Sequence, residues 1–146
     1  MREFIKIPDE STKDEINKII IARIKEVDKV TVELHQYFEH QGRNDVGSHY
    51  DFGADVNGNP IFHTPFISHS CSVLDNNDYE GGNFEFVNDD NELLESIGKD
   101  KHYKNGILFD VSWKHRVTKF TSGTRLVRVF FYRHTNTDYE PTTFPK

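Results

Sequence analysis

Four side chains in this sequence have types and spacings that could do chemistry together: His49, Asp51, His115 and Arg125. In an extended chain residues i and i+2 face the same way, so His49 and Asp51 present an imidazole and a carboxylate side by side. With one distant histidine they make a 2-His-1-carboxylate facial triad, the arrangement that holds iron on one face and leaves positions open for a cosubstrate and oxygen. His115 is the candidate third ligand, and His63 and His69 are alternatives. In a chain with eight histidines the bland reading of a His-x-Asp pair is a solvated loop.

Arg125 bears on that choice. A three-residue loop Thr121-Ser122-Gly123, with Gly123 left-handed, would pair Lys119 with Arg125 and Val117 with Val127 in a hairpin. His115, Val117, Arg125, Val127, Val129 and Phe131 would then share one face, whereas a two-residue loop would set His115 and Arg125 on opposite faces. Four residues of strand separate the two levels, about 13 Å at ~3.3 Å each, and both side chains lean into the interval. The remaining gap suits a short dicarboxylate. An arginine can grip its far carboxylate bidentately while the near end chelates the metal, which is what 2-oxoglutarate requires. The bland reading of Arg125 is a hairpin arginine in solvent, and Lys119 beside it calls for an intervening anion or an outward turn.

Positioning these groups needs strands, and the sequence supplies them. Arg2 to Ile7 alternates and stops at Pro8, a first strand. Caps at Asp9 to Thr12 precede Ile16, Ile19, Ile20, Ile24 and Val27 at helical spacing, which predicts a helix over about 12–28 packed on a sheet. Thr31 to Phe38 alternates with Val32, Leu34, Gln36 and Phe38 on one side and Thr31, Glu33, His35 and Tyr37 on the other. His49-Tyr50-Asp51 then lies on a short extended piece between loops. Strands are expected around 66–74 and 79–86, with a sharp bend at Gly81-Gly82, and at about 107–111, 115–120 and 124–133. Asp89 to Ile97 reads as one or two helical turns, and Lys99 to Asn105 as a polar loop. The tail from His134 has two prolines and no periodicity, so loose attachment is expected.

Many short strands after one leading helix predict a mainly β, double-sheet fold such as a jelly roll, with the N-terminal helix packed on the sheet. At 146 residues, one domain over 1–146 with a core of about 30–133 is expected. A net charge of −6 and a pI near 5.7 argue against nucleic acid as the main partner. The one cysteine, Cys71, rules out an internal disulfide and reads as a buried thiol. Neither a signal peptide nor a membrane span is apparent, so the default expectation is cytoplasmic, with no membrane partner.

Taken in order, His49-Tyr50-Asp51, Leu74 to Phe84 with its Glu80-Gly81-Gly82, Gly106-Ile107-Leu108-Phe109, His115-Arg116-Val117 and Gly123-Thr124-Arg125 resemble the Fe(II)/2-oxoglutarate-dependent dioxygenases. The likeness is to the prolyl 4-hydroxylase-like branch, which includes short phage-encoded members, and it covers about residues 30 to 133. It implies a double-stranded β-helix core, Fe(II) held by His49, Asp51 and His115, and the 2-oxoglutarate C5 carboxylate held by Arg125. It also implies O2 as cosubstrate, ascorbate as an optional reductant, and oxidative decarboxylation to succinate and CO2 with hydroxylation of an unactivated C–H bond. A prolyl or other amino-acid side chain, in a peptide or a small molecule, is the implied substrate.

The chain departs from the family pattern in two places. Tyr37 lies twelve residues before His49 where members often have a tyrosine about ten before, so it is a candidate cosubstrate contact. The strand before the Gly-Gly bend carries Ser70, Ser72 and Val73 where another tyrosine often faces the oxo acid, which makes Ser72 a further candidate. Trp113, just before His115, is a candidate for the substrate pocket, with core packing as its alternative. Tyr79 and Phe84 are expected to pack around the bend. A non-catalytic jelly-roll module binding a peptide or carbohydrate is the competing reading, and a cupin-like metal site would leave Arg125 unexplained.

Overall fold

A computed structural model describes residues 2–51 and 67–135. Its elements are β1 (Arg2–Lys6), α1 (Lys13–Asp28), β2 (Val32–Gly42), β3 (Val46–His49), β4 (His69–Leu74), β5 (Glu80–Gly81), β6 (Phe84–Val87), β7 (Leu93–Ile97), α2 (Lys99–His102), β8 (Asn105–Asp110), β9 (Lys114–Val117), β10 (Phe120–Ser122) and β11 (Arg125–His134). The strands form a five-stranded sheet in the order β1-β8-β4-β11-β2, a four-stranded sheet β3-β9-β6-β7, and a small pair β10-β5. Every pairing within these sheets is antiparallel. This is the mainly β, double-sheet architecture expected from the sequence, with the leading helix on the larger sheet.

Helix α1 starts where its capping residue sits: the Thr12 hydroxyl accepts the Glu15 N–H at 3.2 Å. Ile16, Ile20 and Ile24 are fully buried on its inner stripe, each stabilising the fold by roughly 1.5–3 kcal/mol relative to exposure. They meet Ile5, Cys71, Val73, Leu108, Phe130 and Tyr132 from one face of the large sheet. The other face carries Ile107 and Phe109, which pack with Phe84, Phe86, Ile97 and Val117 of the small sheet. Strand β8 thus feeds two cores by alternation, Leu108 to the helix and its neighbours to the space between the sheets. In this scheme β4 is buried at all six positions.

Three expectations are corrected here. The segment predicted as helical turns at 89–97 is a turn followed by strand β7, paired with β6 from Val87↔Leu93 to Phe84↔Ile97. The Asn88 side-chain oxygen accepts the N–H groups of Asp90 and Glu92, and Asn91 has φ 65°, so the chain reverses before a helix can propagate. Within the region read as polar loop, Lys99–His102 forms a short helix that buries His102.

The third correction concerns the hairpin. Strands β9 and β11 are not partners: β9 pairs with β3 and β6, whereas β11 pairs with β2 and β4 in the other sheet. Lys119 is exposed and does not face Arg125, which lies opposite Gly42. Between them the chain passes through β10, whose Phe120 pairs with Gly81. Gly81 (φ 75°) and Gly123 (φ 80°) permit that passage, since a Cβ at Gly81 would lie 2.3 Å from the Lys119 carbonyl oxygen and one at Gly123 2.8 Å from Tyr79 Cα. His115, Val117, Arg125, Val127, Val129 and Phe131 do line one cavity, but from opposite walls. The level-by-level spacing of about 13 Å at ~3.3 Å per residue therefore has no basis in this fold.

A β-bulge in β2 resets a further face assignment. Phe131 pairs with Gln36 but Tyr132 pairs with Leu34, so His35 is the extra residue. Val32, Leu34 and Tyr37 consequently pack against the helix-side core, while Phe38 turns to the opposite side and lines the cavity. Strand β11 runs on to His134, and Thr135 N–H reaches the Thr31 carbonyl at 2.9 Å. His63, the loop 53–65 and the tail from 136 lie outside the described residues. Among the described residues no helix is long and apolar enough to cross a membrane.

Candidate metal centre and its cavity

The ladder between β3 and β9 places His49 directly opposite His115, with ring centroids 4.3 Å apart. Asp51 follows β3 by two residues and swings its carboxylate between the imidazoles. Its Oδ1 lies 3.3 Å from His49 Nε2 and 3.2 Å from His115 Nε2. Ligand atoms bonded to one metal at about 2.1 Å and right angles would stand about 3 Å apart, so these separations fit a facial site. Candidate ligand atoms of the three residues all lie within 4.8 Å of one another, and no other such cluster occurs among the described residues.

Hydrogen bonding orients both rings for ligation. His49 Nδ1 is 2.8 Å from the Gly47 carbonyl and His115 Nδ1 is 3.1 Å from the Trp113 carbonyl. A carbonyl can only accept, so each Nδ1 carries a proton and each Nε2 offers its lone pair toward Asp51 when the ring is neutral. Two lone pairs and a carboxylate converging on one point repel unless a cation joins them. Accordingly His49 titrates above its ordinary value, chiefly through its bond to Asp51. Burial would raise the Asp51 carboxyl, but His115 and His49 outweigh it and hold that carboxyl well below the usual range. The donor set therefore suits a divalent metal. Phe84 stacks on the His115 ring at 5.3 Å, which fixes its plane.

The cluster opens into a cavity of about 230 Å³ between the two sheets. Most of its wall is apolar: Phe38, Val46, Phe84, Phe109, Val117, Val127, Val129 and Phe131. Arg125 enters from β11 and is only 6% exposed. The Tyr79 hydroxyl is its hydrogen-bond partner, its Nε is buried without one, and no carboxylate among the described residues pairs with it. Burial pulls its pKa down, opposed by Tyr79, yet an arginine remains charged. Ser70 and Ser72 reach the same cavity from β4. The buried Ser70 Oγ also has no partner among the described residues, and the Ser72 carbonyl is taken by His102 Nε2 at 2.9 Å. Buried polar groups are ordinarily satisfied, so an unpaired guanidinium nitrogen and an unpaired hydroxyl on one cavity mark a place for an anion.

The structure thus brings together His49, Asp51, His115, Arg125 and Ser72. It does not bring Tyr37 or Trp113 to the cavity. Tyr37 lies on the helix-facing side of β2, donating to Glu39 at 2.9 Å and packing on Phe130, because of the bulge at His35. Trp113 packs edge-on against Phe86 and contributes its carbonyl to His115 rather than its ring to the pocket. His69 is no ligand but a fully buried tie between β4 and the end of α1, 2.7 Å from Asp28. Sequence reasoning overlooked Ser70 as a site residue and Tyr79 as the partner of Arg125. Serines at 70 and 72, alternating with Cys71 and Val73 in an otherwise buried strand, were the legible signal for the first.

No family model matches the sequence, and no curated protein matches it. Solved structures do match in fold. A viral collagen prolyl hydroxylase from Paramecium Bursaria Chlorella virus-1, solved as a 2OG complex, superposes with a TM-score of 0.63 at 13% identity, covering 92% of this chain and 80% of that one. An oxidoreductase of the 2OG-Fe(II) oxygenase family from Burkholderia pseudomallei gives 0.59 at 14% identity over 80% of this chain, which spans half the length of that protein. HygX from Streptomyces hygroscopicus, with nickel and 2-oxoglutarate bound, gives 0.55 at 14% identity, covering 90% and 72% of the two chains. At such identities the likeness defines the fold. The chain is a double-stranded β-helix protein of the architecture seen in 2OG-Fe(II) oxygenases, with a His-Asp-His cluster facing a buried arginine across one cavity.

Proposed function

We propose that this protein is an Fe(II)- and 2-oxoglutarate-dependent dioxygenase that hydroxylates an unactivated carbon of a peptide or amino-acid side chain, a prolyl ring foremost. The observation that supports the reading most is the pairing, in one cavity, of a preorganised two-histidine, one-carboxylate donor set with a buried arginine that has no counter-charge among the described residues. Iron bound there would supply the O2 chemistry that converts 2-oxoglutarate to succinate and CO2 and puts one oxygen atom into a substrate C–H bond.

The chain's own residues would do the rest. His49 Nε2, the Asp51 carboxylate and His115 Nε2 would hold the metal. Their carbonyl-bound Nδ1 protons keep the rings in the ligating tautomer. The Arg125 guanidinium, steadied by the Tyr79 hydroxyl and supplemented by Ser70 Oγ, would take the far carboxylate of the oxo acid. The phenylalanine and valine walls would exclude water and strengthen both electrostatic contacts. The prolyl class is supported by the prolyl hydroxylases among structures of the same fold.

Anaerobic addition of Fe(II) and 2-oxoglutarate should produce a visible metal-to-ligand charge-transfer band that His115→Ala abolishes. Absence of the band in the unaltered protein, or its persistence in the variant, would refute the assignment. Succinate release across prolyl peptides, free amino acids and nucleosides would then identify the substrate class.

A further inference from the structure

The three metal-ligand positions share a feature that lies outside the cavity. In extended chain, neighbours of an inward residue point outward, and here Tyr50, Lys114 and Arg116, which flank the three ligands, converge on one surface turn, Asn88 to Glu92. Tyr50, between His49 and Asp51, donates its hydroxyl to the Asp89 carboxylate. Lys114, preceding His115, donates to the Asp89 carbonyl at 3.4 Å and lies 5.7 Å from the Tyr50 ring centroid. Arg116, following His115, donates from Nη1 to the Asn91 carbonyl at 3.3 Å and from Nε to Glu85 at 2.9 Å. The turn itself is held by the Asn88 side chain and by Asn91 in the left-handed region.

The geometry points to this turn as an external brace of the metal centre, with Tyr50 and Asp89 as positioning residues for the ligands. The inference rests on the metal-site reading above and deepens it. Strand β3 ends at His49, so among the described residues no ladder hydrogen bond holds Asp51. Tyr50 lies between the two ligands, and its hydroxyl is anchored on the Asp89 carboxylate. When Tyr50 is held, the backbone torsions on either side of it are held, and with them the approach of the Asp51 carboxylate to both Nε2 atoms. Lys114 and Arg116 tie the His115 strand to the same turn, so the two ligand-bearing segments share one external reference. The arrangement does what outer-shell partners do for metal ligands, although it acts through the backbone rather than through the imidazoles themselves.

The test is Co(II) binding, read as affinity and as the d–d absorption spectrum, on the full chain. Tyr50→Phe keeps the ring and removes only the hydroxyl, and it should weaken Co(II) binding about tenfold, the lower range for outer-shell partners, and alter the spectrum. Asp89→Ala should do the same, and the double variant should be no weaker than either single change, because both cut one bond. Asp89→Asn, which keeps an acceptor oxygen, should restore affinity to within about threefold of the unaltered protein, a rescue that charge loss alone would not allow. The urea midpoint of the metal-free protein should stay in place across the series. Unchanged Co(II) affinity and spectrum in Tyr50→Phe, or additive losses in the double variant, would overturn the brace while leaving the metal site standing. No Co(II) uptake by the unaltered protein would overturn the metal site itself.

Discussion

Replacing Arg125 by methionine should make the ligand-free protein more stable and, at the same time, blind to 2-oxoglutarate. The guanidinium is 6% exposed, has an unpaired Nε, and is met by the Tyr79 hydroxyl, with no carboxylate among the described residues paired to it. A buried ion carries an effective desolvation penalty of several kcal/mol, of which a hydrogen bond to a charged group returns about 1.5–3 kcal/mol. Methionine keeps much of the apolar stem and fills the gap without charge. The variant should therefore gain about 2 kcal/mol, which for a chain of this size raises Tm by about 4–8 °C. Loss of one partner of a buried charge pair costs about 2–5 kcal/mol in binding, and a loss of about 2.8 kcal/mol within that range weakens oxo-acid binding about 100-fold. At 100 times the wild-type Kd, 2-oxoglutarate should stabilise the wild type by about 2.7 kcal/mol and the variant by about 0.4 kcal/mol. Anaerobic urea melts of Mn(II)-loaded protein with and without 2-oxoglutarate measure both quantities. A variant less stable than wild type in the absence of ligand, or one that keeps the ligand-induced increment, would refute the claim that Arg125 is buried for an anion.

Three further outcomes follow from neighbouring residues. Ser70→Ala should weaken 2-oxoglutarate binding about tenfold, as loss of one hydrogen bond to a charged group implies, with Fe(II) affinity unchanged in a metal titration. His102 is held neutral by burial and by the nearby Arg125, its pKa pushed down to about 3. Because the folded value lies below the unfolded one, near 6.5, its contribution to stability is intact above pH 6.5. It is lost as pH falls toward 3, at about 1.4 kcal/mol per pH unit from this one proton. His102→Gln should flatten the stability profile between pH 6 and 4 by that slope, and an unchanged slope would contradict the assignment. Gly123→Ala forces a side chain into φ 80° and to 2.8 Å from the Asp78 carbonyl oxygen and Tyr79 Cα. It should cost at least about 2 kcal/mol in urea unfolding and weaken oxo-acid binding by displacing Tyr79, whereas a neutral effect would show that the turn has room.

Some of this molecule was legible in local sequence because local physics determines it. The helix begins at its Thr12 cap and buries Ile16, Ile20 and Ile24 because spacing and capping act within a few residues. His49 and Asp51 face one way because extended chain alternates. Other features were decided by pairing between distant segments. Thr121-Ser122-Gly123 has the chemistry of a hairpin loop, yet the chain uses it to cross between sheets, so the shared cavity of His115 and Arg125 arises from opposite walls rather than adjacent strands. Leu93 to Ile97 has residues a helix accepts, and only the ladder with β6 makes it a strand. Tyr37 has the approximate spacing of a cosubstrate ligand, but the bulge at His35 turns it toward the helix.

Sequence by itself determined which side chains could ligate a metal, where the helix lies, and which residues alternate within each strand, since those depend on neighbours along the chain. Tertiary structure alone decided that His49 faces His115, that Arg125 is buried with no counter-charge among the described residues, and that Ser70 and Tyr79 join it. Strand register, bulges and sheet crossing are set by contacts between residues far apart in sequence, and period-2 alternation carries no information across them.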